Sequence, residues 1–252
     1  MSITSKLRNL FNKSPQDSGA WPEDKLSPAE QLAKNAQFQN DYELAADQQA
    51  TFDICKTAAD EGIIEAIYLL GIMYEKGDGQ KQYFEEAAAC YHRAARYDKV
   101  EAQYNLALLH AQGSLGQTNY PVALEYFKAA ADHGQPQAQY NLACMYDQGL
   151  GCFEDKIQAL KYFTKAGDQG MLQAWNNIAV MYYEGEENAE GKGIKKDRVK
   201  AYSWTLLAAK AGVPEAIQSE PTMTQALSID ETKAGKELLD QLITKYGKFI
   251  PN

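Results

Sequence analysis

Alanine recurs every 36 residues through the middle of this chain, and apolar residues repeat around it. The anchors are Ala66, Ala102, Ala138 and Ala174, and Ala216 follows after 42 residues. Leucine or isoleucine stands four positions after each of the first four anchors, leucine or methionine seven after, and glycine eleven after. Offsets 0, 4, 7, 8 and 11 lie on one face of an α-helix, and the glycine is typical of a helix end. The pattern predicts a first helix in each of four repeats.

A second helix is predicted between successive anchors. Alanine stands fifteen residues before each of the later anchors, and aromatic and then small residues follow it. Asn119, Asp155 and Asp197 stand in register where these second helices should begin, and each can accept a backbone N–H. Tyr83 takes this place in the first repeat. Since large residues of one helix face small residues of the next, antiparallel helices can pack closely. No strand is predicted.

The predicted fold is all-α. One helix–turn–helix unit cannot bury its own apolar face, whereas stacked units share a continuous core. We therefore expect a right-handed superhelical solenoid of antiparallel helix pairs.

The two ends of the array should differ from its middle. The sequence Ser27-Pro28-Ala29-Glu30 predicts a helix running towards Leu44, and residues 51–62 predict an isolated second helix. Pro221 is expected to break the helix that follows the fifth anchor. A capping box at Ser228–Glu231 predicts a closing helix to about Tyr246. The predicted organisation is a disordered tail at 1–26, capping helices at 27–64, four repeats at 65–214 and a C-terminal capping helix at 215–252.

Three segments resemble a known repeat family. They read "EAIYLLGIMYEKGDG" from residue 65, "QAQYNLACMYDQGLG" from residue 137 and "QAWNNIAVMYYEG" from residue 173. These are similar to the Sel1-like repeat of the tetratricopeptide-like superfamily, whose usual form is A-x-x-x-L-G-x-M-Y-x-x-G-x-G-V-x-x-D. The resemblance covers about residues 50–215, with "GSLG" in the loop of the second repeat and six extra residues in the fourth. It implies a protein-binding solenoid whose first helices line the concave face.

No catalytic, cofactor or metal site is predicted. His92, His110 and His133 have no partner at a metal-ligand spacing, and the four cysteines form no CxxC pair. The loop at 185–192 loosely resembles a phosphate-binding loop, but its glycines are misplaced and its glutamates would repel phosphate. We therefore do not expect an enzyme.

The charge distribution narrows the class of partner. The net charge is −9. Residues 27–190 carry 11 basic and 24 acidic side chains, or −13, whereas residues 191–252 carry 10 basic and 7 acidic, or +3. An acidic body disfavours nucleic acid and anionic lipid and favours a basic protein, although it also promotes solubility. With no run of about 18 apolar residues and no signal-peptide pattern at the start, the expected location is cytoplasmic.

The candidate binding surface is the side of the first helices that the core does not use. Offsets 2, 6 and 9 carry aromatic and aliphatic residues with acidic residues between them, a composition typical of interface hot spots. The candidate residues are Tyr68, Ile72, Glu75, Tyr104, Leu108, Tyr140, Asp147, Asn176 and Tyr183, with Glu186 and Glu187 of the acidic loop. The alternative is that these residues are partly buried only because neighbouring repeats pack on them. Asn105, Asn141 and Asn177, at offset 3, are predicted to hydrogen-bond the adjacent repeat.

Two functions remain open at this point. The first is a non-catalytic adaptor or scaffold that binds a protein or peptide through the concave face. The second is a cytosolic immunity or inhibitor protein that neutralises a basic toxin or effector. The sequence leaves open the partner's identity and the oligomeric state.

Overall fold

The computed structural model describes residues 28–43, 45, 47–79, 81–187 and 193–251. The predicted disordered tail at 1–26 and the cap at Ser27 lie outside these residues. The chain divides into two compact units, with the boundary between His133 and Gly134. Within the described residues, no helix is long and apolar enough to span a lipid bilayer.

The described residues of the first unit form six helices. They are α1 (Pro28–Glu43), α2 (Gln48–Asp60), α3 (Ile64–Lys76), α4 (Phe84–Ala95), α5 (Val100–Gln112) and α6 (Tyr120–Asp132). Helices α3 and α4 pack as one pair, and α5 and α6 pack as another. The expected helices near both Pro28 and Thr51 are present.

The described residues of the second unit form six more helices and a short strand pair. They are α7 (Pro136–Gln148), α8 (Lys156–Asp168), α9 (Leu172–Glu184), β1 (Glu186–Glu187), β2 (Gly193–Ile194), α10 (Arg198–Lys210), α11 (Pro214–Ala226), α12 (Ile229–Tyr246) and a final 3₁₀ turn (Gly247–Phe249). Helices α7 and α8 pair, as do α9 and α10. The predicted all-α fold of antiparallel helix pairs is confirmed.

The predicted caps set where these helices begin and end. The side chains of Asn119, Asp155 and Asp197 each accept the backbone N–H three residues further on, at 3.4, 2.9 and 2.9 Å. Tyr83 makes no such bond. Gly77, which ends α3, has φ 80° and ψ 26°, and the corresponding glycines of α5 and α7 are also left-handed. Local sequence therefore fixes the helix boundaries in each repeat.

The core lies between the helices of each pair and follows the alanine pattern. All five anchors are fully buried, as are the predicted alanines of the second helices, Ala87, Ala123, Ala159 and Ala201. Offset 1 is also buried, which the periodicity did not predict, and it carries Ile67, Gln103, Gln139 and Trp175. The first helices consequently bury a wider face than the sequence indicated, and less of each helix is left for binding.

The six-residue insertion after α9 forms a short antiparallel strand pair, so the prediction of no strand was wrong. Glu186 pairs with Ile194, and Glu187 pairs with Gly193. Gly185 has φ 62° and ψ 140°, and a Cβ there would lie 2.5 Å from the backbone nitrogen of Lys196. Only glycine therefore fits where the chain enters the insertion. Two-residue strands have too little periodicity to be recognised in sequence.

The expected helix break at Pro221 was also wrong, because α11 continues through this residue to Ala226. The missing N–H of proline leaves the carbonyl of Ile217 without its helical donor. Both residues are exposed, so water can hydrate this carbonyl. The opposite face of α11 is held in place, since Ala216 is fully buried and the Thr224 hydroxyl donates to the Tyr202 hydroxyl at 3.3 Å.

The closing helix α12 begins with the predicted capping box. The Ser228 hydroxyl accepts the N–H of Glu231, and the Glu231 carboxylate accepts the N–H of Ser228. The far end of α12 covers the apolar core of the second unit. There the Tyr246 ring lies 5.4 Å from the buried Trp175 ring, and the Tyr246 hydroxyl donates to Asp168 at 2.6 Å. This end of the second unit is closed by its own chain.

Candidate protein-binding surface

The binding stripe consists of offsets 2, 6 and 9 on helices α3, α5, α7 and α9. On α3, α5 and α7 every stripe residue is partly buried. On α9, Val180 is 43% exposed and Tyr183 is 48% exposed. The remaining apolar or amide candidates, Ile72, Leu108 and Asn176, are partly buried. The stripe is therefore most open on α9, close to the strand pair.

The tyrosine at offset 2 contacts an aromatic ring of its own repeat's second helix, 23 residues further along the chain. The pairs are Tyr68 with Tyr91 at 5.9 Å, Tyr104 with Phe127 at 5.7 Å and Tyr140 with Phe163 at 5.5 Å, measured between ring centroids. Tilted and edge-to-face contacts at these distances are favourable. They hold each stripe ring in one orientation while leaving part of it accessible.

Asparagine at offset 3 of the following repeat hydrogen-bonds the same tyrosine. Asn177 Nδ2 donates to the Tyr140 hydroxyl at 3.2 Å, and Asn105 hydrogen-bonds the Tyr68 hydroxyl. These contacts show the predicted role of asparagine within each unit. Burial raises the pKa of both tyrosines, and the asparagine bonds only partly offset this rise. Both rings are therefore neutral at physiological pH and contribute to the structure as well as to the accessible surface.

The carboxylate of Glu75 is held by the protein rather than presented freely. The Tyr91 hydroxyl donates to Glu75 Oε2 at 2.5 Å, and Gln82 donates to the Glu75 carbonyl at 2.6 Å. Burial, followed by the bond to Glu75, raises the pKa of Tyr91 far above its ordinary value. The stripe residue Glu75 therefore accepts a hydrogen bond from a buried hydroxyl group of α4.

Lys99 is a surface residue of the first unit that the sequence analysis missed. Its Nζ lies 2.7 Å from Glu65, 3.5 Å from Glu101 and 5.0 Å from the centre of the Tyr68 ring. Burial lowers the pKa of Lys99, but the hydrogen bond and charge of Glu65 outweigh burial and raise it overall. The other repeats have Ile63, Gln135 and Met171 at this position, so the repeat pattern gave no signal for it.

Two acidic candidates of the second unit come together around one lysine. Lys156 Nζ lies 2.8 Å from Glu154, 3.1 Å from Asp147 and 4.0 Å from Glu186. Three carboxylates around one ammonium leave an excess of negative charge. Glu154 was not among the binding residues predicted from the sequence, because the repeat pattern did not distinguish it from other surface carboxylates. The backbone of Glu187 pairs with Gly193.

His110 packs in the interior of the first unit. His110 is 3% exposed and stacks on Tyr126, with ring centroids 6.3 Å apart. Burial, with a smaller contribution from the charge of His92, lowers the pKa of His110 to about 4. Burial raises the pKa of the Cys90 thiol to about 12, so it carries no thiolate nucleophile. Across the part of the chain that the structure describes, no group of three His, Cys, Asp or Glu residues could hold a metal ion.

The repeats match a known protein family. A family model described as "Sel1 repeat" matches residues 64–96, 100–135, 136–171 and 176–213, which together exceed half of the chain. The chain belongs to the Sel1 repeat family. A comparison with curated protein sequences gives no match.

Solved structures include other Sel1 repeat proteins of this fold. A protective antigen of uropathogenic Escherichia coli with an SLR fold is 25% identical, at a TM-score of 0.67. The match covers 86% of this chain and 46% of the antigen, so the chain spans about half of that protein's length. A Sel1 repeat protein from Oxalobacter formigenes is 28% identical at a TM-score of 0.64, and the match covers 77% of this chain and 79% of that one.

An immunity protein from Pseudomonas aeruginosa is also similar, but more weakly. It is 17% identical at a TM-score of 0.42, with 94% of this chain and 86% of that chain covered. A likeness at this level carries no functional argument. Membership of the Sel1 repeat family indicates a protein–protein interaction module. Repeats of this family are in general non-catalytic.

Proposed function

We propose that this Sel1 repeat protein is a cytoplasmic adaptor or scaffold that binds a protein partner through the binding stripe. The observation that carries the proposal is the fixed orientation of the stripe tyrosines. Each of Tyr68, Tyr104 and Tyr140 is held by an aromatic ring of its own repeat and remains partly accessible. Rings that are already ordered lose little conformational entropy when a partner covers them.

The most open part of the proposed surface lies on α9 in the second unit. Val180 and Tyr183 stand at offsets 6 and 9 of the same helix, one turn apart, and both are exposed. Tyr183 combines an apolar ring with a polar hydroxyl, as residues that dominate binding energy often do. The Lys196 ammonium lies 5.2 Å from the centre of this ring, so a neighbouring residue of the same chain already contacts it.

The carboxylate cluster around Lys156 favours a basic partner. Asp147, Glu154 and Glu186 exceed the single positive charge that they surround. A basic side chain of a partner can compete for these oxygens, and charge complementarity of this kind mainly increases the rate of association. This cluster is consistent with the −13 charge of residues 27–190.

The second candidate function is an immunity or inhibitor protein that blocks a basic toxin or effector. The same carboxylate excess favours it, because electrostatic steering suits an inhibitor that must bind quickly. The two functions differ in stoichiometry and affinity. A one-to-one complex that dissociates very slowly and abolishes the partner's activity indicates an inhibitor, whereas weaker binding that leaves the partner active indicates an adaptor.

The experiment compares two single substitutions of equally exposed residues. Tyr183→Ala removes a stripe ring, and Ile217→Ala removes an apolar side chain of α11 that is 51% exposed and off the stripe. A partner captured from the source cells is identified by mass spectrometry, purified and titrated against both variants. We expect Tyr183→Ala to weaken binding by about tenfold, equivalent to about 1.4 kcal/mol, and Ile217→Ala to leave it unchanged. Equal affinities for both variants would reject the stripe as the binding surface.

A further inference from the structure

A groove in the second unit carries several lysines, although residues 27–190 are acidic overall. It has a volume of about 330 Å³ and lies between the start of α8, the strand β2 and the start of α10. The strand β2 supplies one wall, since Ile194 is buried and β2 packs against α8.

The floor and one rim of this groove are apolar. Leu160 is partly buried in the floor beside Ile194, and Ile157 on the rim is 53% exposed. An exposed aliphatic side chain that borders a groove suits a surface that takes an apolar side chain from a partner.

Three lysines form the other side of the groove, which gives it a positive charge. They are Lys195, Lys196 and Lys200. Lys200 is partly neutralised by Asp197, whose carboxylate lies 3.3 Å from its Nζ. Lys196 lies over the Tyr183 ring, and Lys195 is exposed.

The nearest carboxylates cancel only part of this charge. Asp197 accepts the N–H of Lys200 as the cap of α10 and lies 3.3 Å from the Lys200 ammonium. Glu154 and Glu186 are gathered around Lys156 instead. The positive end of the α10 dipole lies at the same place.

We propose that this groove binds an acidic segment of a second partner protein. Carboxylates of that segment pair with Lys195, Lys196 and Lys200, and one aliphatic or aromatic side chain between them packs on Ile157 and Leu160. This goes beyond the proposed function, because it gives the protein a second site with the charge preference opposite to that of the stripe. An adaptor with one acidic and one basic site can bring two oppositely charged partners together, whereas an inhibitor has no need of the second site.

The test uses a defined probe, so it does not depend on whether the stripe binds anything. The probe is a short fluorescent peptide of aspartate and glutamate with one central isoleucine, and its binding is followed by fluorescence anisotropy. Two control peptides replace the acidic residues by lysine, or the isoleucine by glycine.

The variants are matched in charge. Lys195→Glu with Lys196→Glu reverses two groove charges, and Lys161→Glu with Lys165→Glu reverses two charges on the exposed side of α8. Circular dichroism checks that both variants keep their helices. We expect the groove variant to weaken binding of the acidic peptide by at least about tenfold, and the α8 variant by less than about twofold. Ile157→Ala should weaken binding by about threefold and remove the preference for the isoleucine peptide.

Three outcomes would overturn the proposal. The first is no saturable binding of the acidic peptide. The second is equal weakening in both charge-reversal variants, which would mean attraction to the protein's lysines in general. The third is self-association of the unmodified protein in sedimentation that the groove variant abolishes, which would make a second copy of this chain the occupant.

Discussion

His110 is predicted to make the first unit sensitive to acid. It is buried, and burial together with the nearby charge of His92 lowers its pKa from 6.5 to about 4. The unfolded chain therefore binds a proton more readily than the folded protein, so stability falls as the pH drops through 6.5 and the whole contribution is lost below about 4. The other repeats carry tyrosine here, and Tyr146 stacks on Tyr162 at 6.0 Å much as His110 stacks on Tyr126. The substitution His110→Tyr should therefore preserve the stack and remove the titration.

The size of the effect follows from the two pKa values. Between about pH 7 and about pH 5, the linkage relation gives a loss of about 2 kcal/mol for a histidine that titrates at 6.5 unfolded and at about 4 folded. Because His110 is only 3% exposed, solvent screening reduces this value little. Groups that do not interact with His110 contribute equally to the protein and the variant, so the difference between them reports His110 together with its interaction with His92.

The assay is urea unfolding of the protein and of His110→Tyr, followed by far-UV circular dichroism at about pH 7 and about pH 5. Between these two pH values, we expect the unfolding free energy of the protein to fall by about 2 kcal/mol more than that of His110→Tyr. The converse substitution, Tyr146→His, should introduce a similar acid sensitivity into the second unit. If the protein and His110→Tyr lose the same free energy between the two pH values, His110 is not a buried neutral histidine and the stacking argument is wrong.

Three further predictions test packing, capping and charge. Gly71→Ala should lower the unfolding free energy by about 1–3 kcal/mol, because the added Cβ would lie 2.7 Å from the Tyr91 ring. A higher unfolding free energy in urea, as expected for an unobstructed helix site, would contradict this. Asp197→Ala should lower the unfolding free energy, measured by thermal unfolding, by about 1 kcal/mol. Asp197→Asn should lower it much less, since asparagine also caps helices. Equal losses of unfolding free energy in the two variants would exclude the capping role. Lys156→Gln should speed association of a basic partner by a few-fold in stopped flow at low salt, with Lys161→Gln as control; an unchanged rate would show that the carboxylate cluster does not steer the partner.

Most of the fold could be predicted because its determinants are local and repeated. The alanine anchors, the left-handed glycine at Gly77 and the side-chain caps each recur at a constant spacing. A departure from the pattern in one repeat therefore does not obscure it. The strand pair at Glu186 and the continuation of α11 through Pro221 could not be predicted, since each depends on where the rest of the second unit places the chain. In both cases tertiary packing overrides a weak local signal.

The candidate site was predicted less completely than the fold. Periodicity selected a side of the first helices that is partly buried on α3, α5 and α7, and it placed Tyr183 on the exposed part of α9. It did not show that Glu75 is held by the Tyr91 hydroxyl, nor that Lys99 lies over the Tyr68 ring, because such contacts join positions that do not recur between repeats. Residues that distinguish one repeat from another therefore need the structure to be recognised.

Site-specific photocrosslinking tests the central claim most directly. A photoreactive phenylalanine analogue replaces Tyr183 on the stripe in one protein and Ile217 off the stripe in another, and each is irradiated with the purified partner. The account predicts that the partner crosslinks strongly at 183 and not at 217, and that excess unmodified protein suppresses the crosslink. Equal crosslinking at both positions, or crosslinking at 217 alone, would contradict binding through the first helices.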